Sequence, residues 1–232
     1  MTDDANRINE AGRKKSRLMG KASRRTVFHA HSSGLIGPET YSTLQEIIDR
    51  AGERVLDKRF DNDLDALGVG AVLYDPNASR ARAVLQSLLG SIVDEHYPPY
   101  YGCWIDADEF TTSVFDHLRT GSEYDEVSHK ILNKVDRAPF LAFDSIDDLF
   151  RKPSALVRGD FVRLVRRRPE HGRPTYLSSS LPRKVYRRLA EGDEMPEAYE
   201  FQCSDLEMQQ LWEMLKGDPI LGEYYPFIEV AH

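Results

Sequence analysis

Four aspartates, Asp75, Asp106, Asp108 and Asp144, fall just after three short apolar runs of strand length. In α/β proteins the carboxyl ends of parallel strands are the edge at which ligands usually bind. Carboxylates that converge there can hold Mg²⁺ for phosphoryl chemistry, as in phosphatase-like or nuclease-like sites. Aspartate is also an ordinary cap between a strand and a helix, and neither a general base nor a phosphate cradle accompanies these four. A Mg²⁺-dependent phosphoester enzyme is therefore an alternative reading and no metal site is assigned.

Charge supplies a second kind of candidate. Arg13 to Arg25, RKKSRLMGKASRR, holds seven basic residues, Arg13, Lys14, Lys15, Arg17, Lys21, Arg24 and Arg25, and no acidic one. A second concentration follows Arg158 in RGDFVRLVRRRPEHGR, with Lys184, Arg187 and Arg188 shortly after. Arg163, Arg166 and Arg167 are spaced to share one helical face, while Phe161, Leu164 and Val165 can turn toward a sheet. Such runs can track a phosphate backbone or meet a protein partner, and they can equally be a solvated face. The net charge of −7 speaks against nucleic acid as a total, so the distribution of charge carries the expectation.

Other residues attract weaker readings. His29 and His31 alternate as they would along one side of an extended segment, where a surface loop is the plainer role than a metal pair. Cys103 and Cys203 lack the paired spacing of a zinc site and read as free, buried thiols. The aromatics of YPPYYG, Tyr97 to Gly102, read as a packed turn. Tyr224, Tyr225, Phe227 and Ile228 make the C-terminal tail apolar enough to dock on the body or on a partner.

The elements that must position these residues are legible in outline. Residues 1–25 are poor in large apolar groups and rich in charge, which predicts a disordered arm preceding a domain over 26–232. Helical spacing of Leu44, Ile47, Ile48, Ala51, Val55 and Leu56 predicts a helix from Glu39 to Arg59. Val69–Tyr74, Gly102–Ile105, Phe140–Phe143, Thr175–Ser178 and Ala198–Cys203 read as short buried strands. Helices are predicted over Ala81–Glu95, Ala107–Arg119, Ser154–Arg168 (stopped by Pro169), Pro182–Ala190 and Asp205–Leu215. This alternation calls for a mainly parallel sheet covered by helices on both faces. With 41% apolar residues, no apolar run near the roughly 18–20 residues of a membrane helix and no signal-peptide h-region, the chain is expected to be cytoplasmic.

The stretch AVLYDPNASRARAVLQSLL has the frame of a phosphate-binding loop: strand, short polar loop, helix. Together with PFLAFDSIDDLFRKPSALVRGDFVRLVRRRPEHGRPTYLSSSLP, it resembles the AAA+ module of the DnaC/IstB-type ATPases, which load replicative helicases or assist transposases. The similarity spans roughly Thr26 to Leu215 and lies in the order and spacing of the pieces. It implies a P-loop NTPase-like (AAA+) fold, a parallel five-stranded sheet flanked by helices, in the order 5-1-4-3-2. In that frame Asp75, Ala78 and Arg80 stand where the family has glycines, around Pro76, and Ala81 and Arg82 replace the lysine and the hydroxyl residue. Phe140-Leu141-Ala142-Phe143-Asp144-Ser145 keeps the first acid of the second motif and has Ser145 for the other. Pro174-Thr175-Tyr176-Leu177-Ser178-Ser179-Ser180 matches the sensor strand, with Ser180 in place of asparagine.

Glycines let backbone N–H groups close around phosphates, the lysine reaches their oxygens and the hydroxyl binds Mg²⁺. Their replacement implies a degenerate nucleotide site without ATP chemistry or a cofactor. The resemblance then implies a non-catalytic accessory factor in DNA replication or transposition, with a phage or mobile element as its candidate source. It would bind a protein partner, with a replicative helicase as the candidate, and/or DNA. Loaders in the family carry a separate helicase-binding domain before the module, which the residues ahead of Thr26 do not resemble. A plain protein-interaction scaffold is the remaining alternative.

Overall fold

The apolar runs form the strands of one sheet. A computed structural model describes residues 26–56, 70–96, 102–120, 126–151, 154–192, 205–216 and 225–230. The basic arm, Tyr97 to Tyr101, the Ala198–Cys203 segment with Cys203, and Tyr224 lie outside the described residues. The strands are β1 (Gly70–Tyr74), β2 (Gly102–Asp106), β3 (Phe140–Asp144), β4 (Thr175–Ser179) and β5 (Phe227–Glu229). They lie in the order β2-β3-β4-β1-β5, and every pairing is parallel. This is the expected order, reached with a different fifth strand: the apolar tail docks on the body by pairing Phe227–Glu229 with β1.

The described helices are α1 (Val27–Ser32), α2 (Pro38–Leu56), α3 (Ala78–His96), α4 (Ala107–Thr120), α5 (Glu126–Arg137), α6 (Ile146–Arg151), α7 (Ala155–Glu170), α8 (Arg183–Glu191) and α9 (Asp205–Lys216). None is long and apolar enough to cross a membrane. Strand side chains alternate between two cores, as the pleat requires. Val72, Ile105, Leu141, Phe143 and Leu177 face Phe110, Val135, Phe150, Phe161 and Tyr186 from the helices on one side. Ala71, Leu73, Trp104, Ala142 and Tyr176 face Leu44, Ile48, Val84, Leu88 and Ile92 on the other. Gly70 opens β1 at φ +149°, where a Cβ would sit 1.7 Å from the Thr175 carbonyl oxygen, so only glycine lets β1 and β4 meet there.

Several expectations are corrected. His29 and His31 lie in a helix, where residues two apart point to nearly opposite sides. His29 completes a capping box with Thr26, and His31 stacks on Tyr41 with ring centroids 4.7 Å apart. Pro169 does not stop α7, which ends at Glu170. Proline has no N–H for the carbonyl of Val165 one turn back, and the Tyr225 hydroxyl donates to that oxygen instead, at 3.1 Å. Helices α5 and α6 were not expected at all.

Arg168, the third arginine of the RRR run, is fully buried. Its Nε donates to Thr175 Oγ1 at 2.8 Å, its Nη1 to the carbonyls of Val135 and Asp136, and its Nη2 to those of Ala138 and Pro174. These bonds use every N–H that a guanidinium owns. They tie the end of α5, the last turn of α7 and the start of β4 together. Burial lowers the pKa to about 10, so the group stays charged at neutral pH. Arg168→Lys keeps the charge and strands several of these acceptors, so it should cost about 3 kcal/mol or more. Urea denaturation of the variant beside the parent measures this directly. Burial also pushes the Cys103 thiol up to about 12, so Cys103 in the native protein should resist alkylation at pH 8 until denaturant is added, as intact mass will report.

Candidate functional site

Only Asp75, Pro76 and Asn77 separate β1 from α3. The helix begins at Ala78, three residues earlier than its apolar periodicity predicts, and takes up Ala78, Ser79, Arg80 and Ala81 as its first turn. Asn77 fills the capping position: its Oδ1 accepts from the Ser79 N–H at 3.1 Å, and its carbonyl accepts from Arg80 and Ala81. The Asn77 N–H itself donates to Asp75 Oδ1 at 2.7 Å. Pro76 has no N–H to offer. The backbone donors that a phosphate would draw on at this turn are thus engaged within the chain at Asn77, Ser79, Arg80 and Ala81. Ala81 is buried, while Ala78 is exposed.

Charge at this edge is closed in the same way. The Asp75 carboxylate is buried and accepts from the Nε and Nη2 of Arg80. The Asp144 carboxylate ends β3 with no exposed surface; it accepts from the Ser178 hydroxyl at 2.5 Å and from the Nε of Arg82. Burial raises the Asp144 carboxyl above its ordinary range, opposed by the Ser178 hydroxyl and then by the Arg82 guanidinium. Arg82 is half-exposed and reaches in from α3. Ser145 follows Asp144 at φ +60°, a conformation that costs a non-glycine residue about 1–2 kcal/mol. It is held there by its N–H donating to Ser178 Oγ at 2.8 Å and by its carbonyl accepting from Asp148.

Ser180 donates from its hydroxyl to Asp147 Oδ2 at 2.6 Å and from its N–H to Oδ1 at 3.1 Å, and Arg151 joins the same pair. Asp106 lies beside Asp144 in the β2–β3 register, but its Oδ1 caps α4 by accepting the Glu109 N–H at 2.8 Å. Asp108 sits exposed on α4. The structure therefore brings Asp75, Arg80, Arg82, Asp144, Ser145 and Ser180 to one edge, and spends each carboxylate there on a partner within the chain. Asn77, Asp147 and Ser178 belong to this arrangement and were not singled out by the sequence. Asparagine just before a helix and serine where the sensor strand ends were the available signals.

The second basic run is less basic than it reads. Arg158 and Arg168 point inward, and Arg158 pairs with Glu207 at 2.6 Å. Arg163 pairs with Asp160, and Arg167 with Asp136. Arg166 is exposed and has no acidic partner among the described residues. Phe161 and Val165 are fully buried and Leu164 nearly so, as their spacing predicted.

No family model matches the chain, and no curated protein sequence matches it. Solved structures do. Domain III of the Thermotoga maritima replication initiation protein DnaA superposes with a TM-score of 0.53 and 13% identity, over 85% of this chain and 65% of that one. The chain has the AAA+ fold. AMPPCP-bound DnaA from Aquifex aeolicus (TM-score 0.55, 14% identity) and a replication initiator DnaA bound to AMPPCP and single-stranded DNA (0.55, 13%) each align over 90% of this chain and 50% of theirs. The chain thus spans about two thirds of the first neighbour and half of the other two, and at these identities the likeness is one of fold.

Two substitutions separate the carboxylate from its cation. Asp144→Asn removes the buried charge and leaves an acceptor for Ser178, so stability at pH 7 should stay within about 1 kcal/mol of the parent. Arg82→Ala leaves the charge with Ser178 alone and should cost about 1–3 kcal/mol, the lower part of the range for a buried pair because Arg82 is half-exposed. A folded-state pKa above the unfolded value means that Asp144 contributes most below about pH 4 and that this contribution is lost as pH rises through the folded pKa. Urea midpoints from pH 4 to 8 should fall less across that window in Asp144→Asn than in the parent.

Proposed function

We propose that this chain is a non-catalytic AAA+-fold accessory factor in a DNA transaction, replication or transposition, that works by binding a protein partner and DNA. The observation that carries the first half is the Arg82 guanidinium on Asp144. It occupies the carboxylate that, in the ATPases the sequence resembles, would hold Mg²⁺, while Asn77 and Asp75 occupy donors that a phosphate would need. An ATP complex would have to break these bonds without a lysine, glycines or a hydroxyl ligand to replace them.

Support for the second half is of another kind. The structural neighbours are replication initiators, one of them bound to single-stranded DNA, and the sequence resembles modules that load a replicative helicase or assist a transposase. The Mg²⁺-dependent phosphoester alternative has less behind it. Among the described residues no three histidine, cysteine, aspartate or glutamate side chains gather where they could hold a metal ion. The strand-end aspartates are also engaged with arginine, serine or backbone.

Calorimetry with ATP and Mg²⁺ tests the first half: no saturable heat and no phosphate release are expected, and micromolar binding with turnover would refute the reading. DNA contact is expected to rest on the arm, since α7 offers little unpaired charge. Fluorescence anisotropy with single-stranded and duplex oligonucleotides should show weak, sequence-independent binding that falls steeply with salt. Replacing Arg13, Lys14, Lys15 and Arg17 together should lower both the affinity and the salt slope and leave the melting temperature unchanged. A flat titration of the parent would leave the protein partner alone in the proposal.

A further inference from the structure

Apart from glycines, Ser145 is the one residue with a positive φ among the described residues, at +60°. That region suits glycine, which has no Cβ, and asparagine or aspartate, whose short side chains bond locally. Ser145 has no such help, because its hydroxyl has no hydrogen-bond partner among the described residues. Such a conformation persists only where the surroundings impose it.

A line of bonds joining α3, β3 and β4 imposes it. Arg82 on α3 donates from Nε to Asp144 Oδ2, and the Ser178 hydroxyl on β4 donates to Asp144 Oδ1 at 2.5 Å. The same Ser178 oxygen accepts the Ser145 N–H at 2.8 Å. An ionised carboxylate only accepts, so it fixes where the hydroxyl proton points and leaves a lone pair for Ser145. The run Ser178-Ser179-Ser180 thus ties three elements: Ser178 binds β3, Ser179 bonds the Tyr186 hydroxyl of α8 at 2.7 Å, and Ser180 bonds Asp147 of α6 at 2.6 Å. The Ser145 carbonyl accepts the Asp148 N–H at 3.0 Å, so α6 is built directly on the strained residue.

A flip of the peptide between Asp144 and Ser145 carries φ of Ser145 to negative values and moves the flanking elements little, as in the interconversion of turn types. It also turns the Ser145 N–H away from Ser178. Arg82 opposes the flip from a distance. A carboxylate without exposed surface is costly to keep buried once its cation is gone. Turning it toward water removes the acceptor that orients Ser178, and Ser145 is then free to relax. We infer that the Asp144–Ser145 peptide is a two-state switch, held in its strained state by Ser178 and locked there by Arg82 through Asp144. Arg82 is half-exposed, so the lock can be reached from solvent. The inference goes beyond the proposed function and does not depend on a partner or on DNA.

The experiment combines Ser145→Gly with each member of the lock in the full chain. Glycine removes the strain, so Ser145→Gly should raise the urea midpoint of the parent by about 0.5 M. In Arg82→Ala and Ser178→Ala backgrounds, where residue 145 has already relaxed, the gain should fall below half of that. The Cα and Cβ chemical shifts of Ser145 should be those of a left-handed residue in the parent and of a right-handed one in both variants. No gain in the parent, the same gain in all three backgrounds, or left-handed shifts in both variants would each overturn the switch. Loss of the gain in Ser178→Ala but not in Arg82→Ala would overturn the part assigned to Arg82.

Discussion

A carboxylate with no exposed surface at the end of a central strand needs a cation, and Asp144 receives it from Arg82. The pair dictates much of the surrounding geometry. For the guanidinium to reach β3, α3 must have turned once before Arg82, so the helix has to begin almost as soon as β1 ends. The Asn77 cap and the Asp75–Arg80 pair make that early start possible, because they satisfy the donors and the charge that a tight strand-to-helix connection would otherwise bury. Beyond Arg82 the same helix lays Val84, Leu85, Leu88, Leu89 and Ile92 over the sheet, so its position is fixed by packing as well as by charge.

The other end of the sheet is tied by a second arginine under different rules. Arg168 makes no ion pair among the described residues and is held by carbonyl dipoles and one hydroxyl, which suits a planar, weakly hydrated cation better than it would an ammonium. Both ends of the strands therefore spend arginine inside the fold. The run from Arg158 to Arg168 therefore shows less free charge than its sequence suggests. Of the arginines from Arg158 to Arg168, two are buried, two more are matched by Asp160 and Asp136, and Arg166 is exposed with no ion pair among the described residues.

What could be read from the chain follows from what each element must bury. Strands β1 to β4 were legible within a residue or two, because parallel strands covered on both faces are continuous apolar runs. The fifth was not, since Phe227–Glu229 is an edge strand of three residues with no such run, and its apolar character reads equally well as a docking tail. Helices α1 and α6, at six residues each, are too short for periodicity to show. Helix α5 did carry a signal: Val127, Ile131, Leu132 and Val135 keep helical spacing. At the site, residue types were legible and their use was not. Composition shows that the glycines and lysine of a phosphate loop are missing; it does not show that Arg82 turns back to Asp144, or that the RRR run sends one member inward.

These two facts bear on where the chain would act. An edge whose Asp75 and Asp144 carboxylates and Asn77, Ser79, Arg80 and Ala81 N–H groups are engaged resists reorganisation, because admitting a polyanion there means uncovering Asp75 and Asp144 together. The sheet and its order persist without that use, since the two cores on its faces do not involve the loop at all. Function is then sought where the fold leaves work undone. Along α7 and α9, helices locked to each other by Arg158 and Glu207, the apolar side chains of Leu156 and Leu206 remain exposed. Under the proposed function, a partner would therefore be met on the helical flanks of the AAA+ frame and not at an edge that keeps its own charges.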